Sequence, residues 1–432
     1  MNWRWIVLAL AFGGAPEAVA QQFGRPPTTI DRPTPPQLLA IDDIKFLSDD
    51  RLAGRMTGQP GADTAAAYLA RRFRQVGLQP AAGGWFQAFT IARNSPAGQR
   101  AHVLGARGNN VIGLLPGRDP VLRNEAVIVG AHYDHLGLGG FGSLDPDSTG
   151  KVHNGADDNA SGTAMLIQIA ARLAASPPAR TVIFIAFSGE ELGLLGSSYY
   201  VQEPIYPLST TEAMINLDMV GRLRQGRLIV YGSRTAREFP ALLDSLNWYA
   251  GFDLKAQGDG YGPSDQSPFY AAGRPVLHLF TDLHEDYHRT TDDWQKINLD
   301  GFKRVTDFAV GIVTAIANRP RPLTFAAPAA LEAASTAPAA TPGYGAYLGT
   351  VPDLLGDAGG VRLAGVRAGS PAEKAGLQGD DVITRIGSAD VTDLQAMTDA
   401  LRSHQPGDTV DIVFRRGERI TTVRATLGVR GG

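Results

Sequence analysis

Between Leu38 and Asn318 short unbroken apolar runs alternate with longer stretches whose apolar residues recur every three or four positions. Val127–Ala131, Thr181–Phe187, Met214–Leu217 and Pro275–Phe280 are the continuous runs, the pattern of strands buried on both faces. Asp63–Val76 puts Leu69, Phe73 and Val76 on one helical face and stops at Gly77. Ser161–Leu173 reads as a helix closed by Pro177-Pro178, and Ile297–Ala317 as a long helix. The alternation predicts an α/β domain over 38–318, with a mostly parallel central sheet and helices on both faces.

Both ends of that region change character. Residues 319–342 read as a linker, because 326–342 hold nine Ala and three Pro among 17 positions. Residues 343–432 turn to short strands with one helix, Val391–Ser403, and read as a small β-rich domain. At the other end Arg4 precedes the apolar run Trp5–Phe12, which is shorter than the roughly 20 residues a membrane span needs. Ala18-Val19-Ala20 has the shape of a signal-peptidase site, so residues 1–20 are expected to be a cleaved signal peptide and 21–37 a flexible lead. The expected location is periplasmic or secreted, without a membrane anchor.

Composition narrows the chemistry. The 432 residues carry 40 basic and 43 acidic side chains, a net charge of −3 that argues against nucleic acid as a partner. There is no cysteine, which removes disulfides, thiolate metal sites and a cysteine nucleophile. Any metal must be held by His, Asp and Glu.

Open α/β sheets bind ligands at the carboxyl ends of their parallel strands. The Val127 run ends in His132-Tyr133-Asp134, and a Gly-rich loop then leads to Gly155-Ala-Asp-Asp158-Asn-Ala-Ser-Gly162. The Thr181 run ends in Ser188-Gly-Glu190-Glu191, the Met214 run in Asp218, and the Pro275 run in a loop with Tyr287-His288. Two imidazoles and three carboxylates suit a pair of divalent ions. Zinc fits best, with cobalt or manganese as substitutes. One of the adjacent acids Glu190 and Glu191 is then available as general base. Asp134 is placed to accept the second N–H of His132 and fix its ring.

These motifs, H-x-D, G-x-D-D-N-x-S-G, S-G-E-E, N-x-D-M and Y-H, in this order and spacing, resemble the co-catalytic dizinc aminopeptidases of the bacterial leucine aminopeptidase type, relatives of the glutamate carboxypeptidases. The resemblance implies zinc bound by His132 and Asp218, a second zinc bound by Glu191 and His288, and Asp158 bridging both. It implies Glu190 as general base for a metal-bridged hydroxide, Tyr287 as oxyanion stabiliser, and a cis peptide bond between Asp158 and Asn159. Glu190 and Asp218 would hold the free α-amino group of peptide substrates. Gln266 stands where many relatives have histidine in S-D-H, which implies altered local hydrogen bonding. Separately, Tyr347-Leu-Gly-Thr350, Gly369–Gly376 and Gly379–Ile383 resemble a bacterial PDZ domain, which implies a groove for C-terminal peptide tails.

Alternatives stand beside this reading. Asp157 is a rival bridge and His153 a rival ligand; His135 also lies close to the motifs. His102, His278, His284 and His404 read as surface or satisfied core residues, and Met219 as pocket wall or plain core. A carboxypeptidase, a dipeptidase or a glutaminyl cyclase could share the fold. A non-catalytic PDZ peptide-binding protein is the rival outside enzymology.

Overall fold

The computed structural model describes residues 40–145, 147–326, 346–352, 359–367 and 369–428. The expected signal peptide, the lead and residues 327–342 of the expected linker lie outside the described residues. Among the described residues no helix is long and apolar enough to cross a membrane.

Nine strands make the larger sheet: β1 Gln79–Pro80, β2 Phe86–Thr90, β3 Arg107–Leu115, β4 Ala126–His132, β5 Thr181–Phe187, β6 Thr211–Leu217, β7 Arg227–Tyr231, β8 Asp253–Gln257 and β9 Val276–Phe280. Their order is β1-β3-β5-β4-β6-β9-β7-β8, with β2 also on β3. The centre β5-β4-β6-β9 is parallel, as the unbroken apolar runs predict. The flanks differ: β3 is antiparallel to β5, and β7 to β9, so the sheet is mixed. Every residue of β4 and β5 is buried. Alternate residues divide between the two faces. Val127, Val129, Val182 and Phe184 join a core with helices Pro60–Gln75, Gly162–Ala175 and Leu299–Ala317. Ile128, Ile183, Ile185 and Phe187 pack on the other side with Tyr200 and Phe269.

The helix Gly162–Ala175 starts directly behind the end of β6. A Cβ on Gly162 would lie 2.3 Å from the Leu217 carbonyl oxygen, so only glycine allows this approach. The smaller sheet holds β10 Thr350–Pro352, β11 Val361–Val366, β12 Val382–Ile386, β13 Ala389–Asp390, β14 Thr409–Arg416 and β15 Arg419–Thr426. It is antiparallel throughout. The helix Leu394–Arg402, capped by the Asp393 side chain, packs Met397 and Ala400 into its core.

Gly162→Ala sets helix propensity, worth about 1 kcal/mol in favour of alanine, against a backbone clash worth about 1–3 kcal/mol. The two contacts at 2.3 Å, one of them to backbone, put the clash toward the upper end of that range, so a net loss of up to about 2 kcal/mol is expected in urea unfolding; a gain in stability would contradict the packing described.

Candidate metal centre

Parallel strands end together, and here four ends and one helix start converge. β4 delivers His132, the turn after β5 delivers Glu190 and Glu191, β6 is followed by Asp218, and the loop after β9 carries Tyr287 and His288. Asp158 comes from the turn that opens the helix Gly162–Ala175, and its bond to Asn159 is cis. His288 adopts a left-handed backbone (φ 54°), a conformation that nonglycine residues rarely take. All seven side chains are buried.

Asp158 is the centre of the cluster. Its Oδ1 lies 3.3 Å from His132 Nε2, which is 3.4 Å from Asp218 Oδ1. Its Oδ2 lies 3.2 Å from His288 Nε2, which is also 3.2 Å from Glu191 Oε2. His132 Nδ1 faces the Asp134 carbonyl at 3.2 Å, and His288 Nδ1 faces the Gly142 carbonyl at 2.9 Å. A carbonyl only accepts, so each Nδ1 carries a hydrogen and each Nε2 is the ring atom turned toward carboxylate oxygens. Between such a nitrogen and an anion stands either a proton or a metal cation. Ligands at about 2.0–2.1 Å around a tetrahedral ion lie roughly 3.3 Å apart, which is the spacing seen. Asp218 Oδ1 is buried without a hydrogen-bond donor. The donor set therefore fits metal. The sets His132, Asp158, Glu191 and His132, Glu190, Asp218 each bring ligand atoms within 4.8 Å of one another.

Without metal, protons take the cations' place. Burial pulls the His288 pKa down, but Glu191 and Asp158 outweigh it and hold the ring's pKa at about 10. His132 is likewise raised: burial opposes, while the Glu190 and Asp218 charges prevail. Burial pushes Glu190 well above the carboxylate range, and the charges of Glu191, Asp218 and Asp265 add to it, with His132 opposing. Bound cations reverse that logic.

Supporting residues to which the sequence reading gave no role hold the candidate ligands. His135 Nδ1 donates to Glu191 Oε1 at 2.8 Å. Asp292 Oδ2 accepts from the Asp157 and Asp158 amides at 2.9 and 3.0 Å. Buried Arg55 donates to the carbonyls of Tyr133 (2.8 Å), Asn154 (2.6 Å), Gly155 (3.0 Å) and Leu47, tying the end of β4 to the Asp158 turn. Of these, only His135 had a signal, its place in H-Y-D-H.

One expectation changes in detail, and the two rival residues point elsewhere. Asp134 meets the His132 ring through its main-chain carbonyl; its carboxylate lies 3.8 Å away and accepts from the Glu190 amide at 3.3 Å. Asp157 faces away from the imidazole pair, accepting from Gly221 N at 2.7 Å and pairing with His284 Nε2 at 3.1 Å. His153 binds Ser143 Oγ at 2.8 Å, outside the cluster. Gln266 Oε1 accepts from Asn216, which also donates to Ser264; Ser264 in turn donates to Asp218 Oδ2 at 2.8 Å. Gln266 thus keeps a place in the network behind Asp218. His278 is buried beside Asn216 Nδ2 at 2.9 Å, a satisfied core residue. Met219 lines the pocket with the cluster.

Residues 110–313 match the family model Peptidase family M28, and residues 345–427 match PDZ domain. The chain carries an M28 peptidase domain followed by a PDZ domain. Leupeptin-inactivating enzyme 1 of Streptomyces exfoliatus is 29% identical over 298 residues, 67% of this chain and 60% of that protein. Aminopeptidase YwaD of Bacillus subtilis (strain 168) is 30% identical over 214 residues, 47% of this chain and 44% of that protein. The matches thus span less than two thirds of these relatives' own lengths. The crystal structure of a Zn-dependent exopeptidase from Parabacteroides distasonis superposes with a TM-score of 0.53 at 19% identity, covering 66% of this chain and all of that one, which shows the shared fold.

Metal must displace protons from both imidazoles, so binding weakens as pH falls. Calorimetry at pH 7 in buffers of different ionisation enthalpy should show release of about one proton per ion bound. Proton-free binding would contradict the protonation described. Arg55→Met strands several buried carbonyls and should lower stability by at least about 3 kcal/mol in urea unfolding.

Proposed function

We propose that this chain is an exported zinc aminopeptidase that removes N-terminal residues from peptides with free N-termini. The observation that carries the reading is the division of the Asp158 carboxylate, one oxygen toward His132 and Asp218 and the other toward His288 and Glu191. In this reading His132 and Asp218 hold one zinc, Glu191 and His288 a second, and Asp158 both. Two such ions, when bound, supply Lewis-acid polarisation of the scissile carbonyl and acidify a water.

The chain's own groups do the rest. Glu190 takes the water's proton on its carboxylate and returns it to the leaving amine, so that one amide bond and one water become an amine and a carboxylic acid. Tyr287 donates its phenolic hydrogen to the carbonyl oxygen as negative charge builds there. Glu190 and Asp218 receive the α-ammonium group. The Asp134 carbonyl and the Gly142 carbonyl fix the tautomers of His132 and His288. Export rests on the character of residues 1–20 alone. C-terminal peptide tails remain the proposed ligands of the PDZ groove, whose lining includes Tyr347–Thr350 and the helix residues Leu394, Met397 and Leu401.

The test pairs a free peptide with its N-acetylated form, using zinc-loaded protein. Stepwise N-terminal shortening of the free peptide alone is expected. Cleavage of both, loss from the C-terminus, or ammonia release from N-terminal glutamine would overturn the substrate assignment. Glu190→Gln should lower kcat by roughly 10²–10⁴-fold with metal content unchanged. Full activity in that variant would remove Glu190 as the base.

A further inference from the structure

The wall of the peptidase pocket includes one residue that the peptidase domain does not supply. Arg402, the last residue of the PDZ helix Leu394–Arg402, lines the same cavity as His132, Asp158, Glu190, Asp218 and His288. Its Nη1 donates to the Tyr287 hydroxyl oxygen, and its Cζ lies 4.5 Å from the centre of the Tyr287 ring. Only 13% of the side chain is exposed. Other contacts hold the helix in place. Arg100 pairs with Asp393 at 2.7 Å and bonds Thr392, and Arg367 pairs with Asp259.

Two consequences follow for what the pocket accepts. It is small. The cavity is about 10 Å³, near the volume a single water needs, and Arg402 at the end of the PDZ helix forms part of its wall. A long chain leaving the scissile bond toward Arg402 would meet its guanidinium and the PDZ domain behind it, whereas a peptide that ends soon after the scissile bond would not. The pocket is also asymmetric in charge. Its acidic residues Asp158, Glu190 and Asp218 face a single guanidinium, the only Lys or Arg among the lining residues. Arg402 Nη1 also lies 4.0 Å from Asp399 Oδ1, and a guanidinium offers five N–H donors in a planar fork, so it can hold these partners and meet a substrate carboxylate as well. The acidic groups suit a substrate's ammonium end, and the cation suits its carboxylate end.

We propose that Arg402 is a substrate-binding residue that receives the C-terminal carboxylate of the substrate, which makes dipeptides and other very short peptides the favoured substrate class. This rests on the aminopeptidase reading of the same site. The PDZ domain then contributes a wall and a charge to the hydrolytic pocket, in addition to any tail it binds. Its groove already lies against the peptidase domain, since Tyr261, Gly262 and Pro263 share the lining with Tyr347 and Gly349. Pro263 also lines the hydrolytic pocket, next door.

The test compares Leu-Leu, its C-terminal amide and Leu-Leu-Leu-Leu on the zinc-loaded full chain and on Arg402→Met and Arg402→Lys. For the wild type, kcat/KM for Leu-Leu should exceed that for the amide by about 10–100-fold, the range expected of a charged hydrogen-bonded pair. Arg402→Met should erase that ratio, mainly through KM, and Arg402→Lys should restore part of it. Calorimetric titration of Leu-Leu and its amide into the Glu190→Gln protein gives the same ratio without turnover. An equal ratio in wild type and Arg402→Met would overturn the proposal. So would a rise of all three substrates together in Arg402→Met, which would mark the residue as a plug. If the wild type binds Leu-Leu over its amide through Arg402 but removes no N-terminal residue, the aminopeptidase reading fails and the carboxylate site stands.

Discussion

Asp158 sits between two imidazoles that both turn Nε2 toward it, and most of the site's architecture exists to keep it there. Asp134, Asp158, Glu190, Glu191 and Asp218 are all buried around the end of β4. Burying so many carboxylates without counter-charge would cost several kcal/mol for each ion. Protonated imidazoles reduce that cost in the metal-free protein, and divalent ions would remove more of it. The backbone contributes too. Asp292 gathers the amides at the Asp158 turn, and Arg55 spends a buried guanidinium on main-chain carbonyls at both sides of it. Remote hydrogen bonds thus convert a flexible Gly-rich loop into a rigid ligand platform.

The central strands were legible because they are buried on both faces, which leaves unbroken apolar runs such as Thr181–Phe187. The flanking strands were not. β2 and β8 are partly exposed, so their sequences, Phe-Gln-Ala-Phe-Thr and Asp-Leu-Lys-Ala-Gln, carry no continuous run. The antiparallel pairing of β3 and β7 was hidden for another reason, since a buried apolar strand reads the same in either direction. The candidate ligands were visible because His132, Glu191 and Asp218 follow apolar runs closely, while Asp158 and His288 stand in short motifs in the connecting segments. Their supports were not, because Arg55, Asp292 and His284 are single polar residues outside any motif, with partners far away in sequence. Asp134 shows a finer limit. Its position two residues past His132 was informative, but whether carbonyl or carboxylate meets the ring depends on a backbone turn that no motif encodes.

The PDZ domain changes how the peptidase pocket is understood. Its contacts to the peptidase domain run through Arg100, Arg367 and Arg402, polar pairs of the kind that join domains without a shared apolar core. Each domain keeps its own core, with Leu363, Ile383, Ile412 and Phe414 central to the smaller one. Arg402 lies in the one helix that the sequence predicts for the small domain, and only the docked arrangement reveals that its last residue reaches Tyr287.

The central claim is that one carboxylate serves two cations. Anomalous diffraction at the zinc edge, on crystals of the zinc-loaded full chain, tests it directly. Two peaks are expected on either side of Asp158, one beside His132 and Asp218 and the other beside His288 and Glu191. A single peak held by His132, Glu190 and Asp218, with Asp158 bound on one side only, would contradict it.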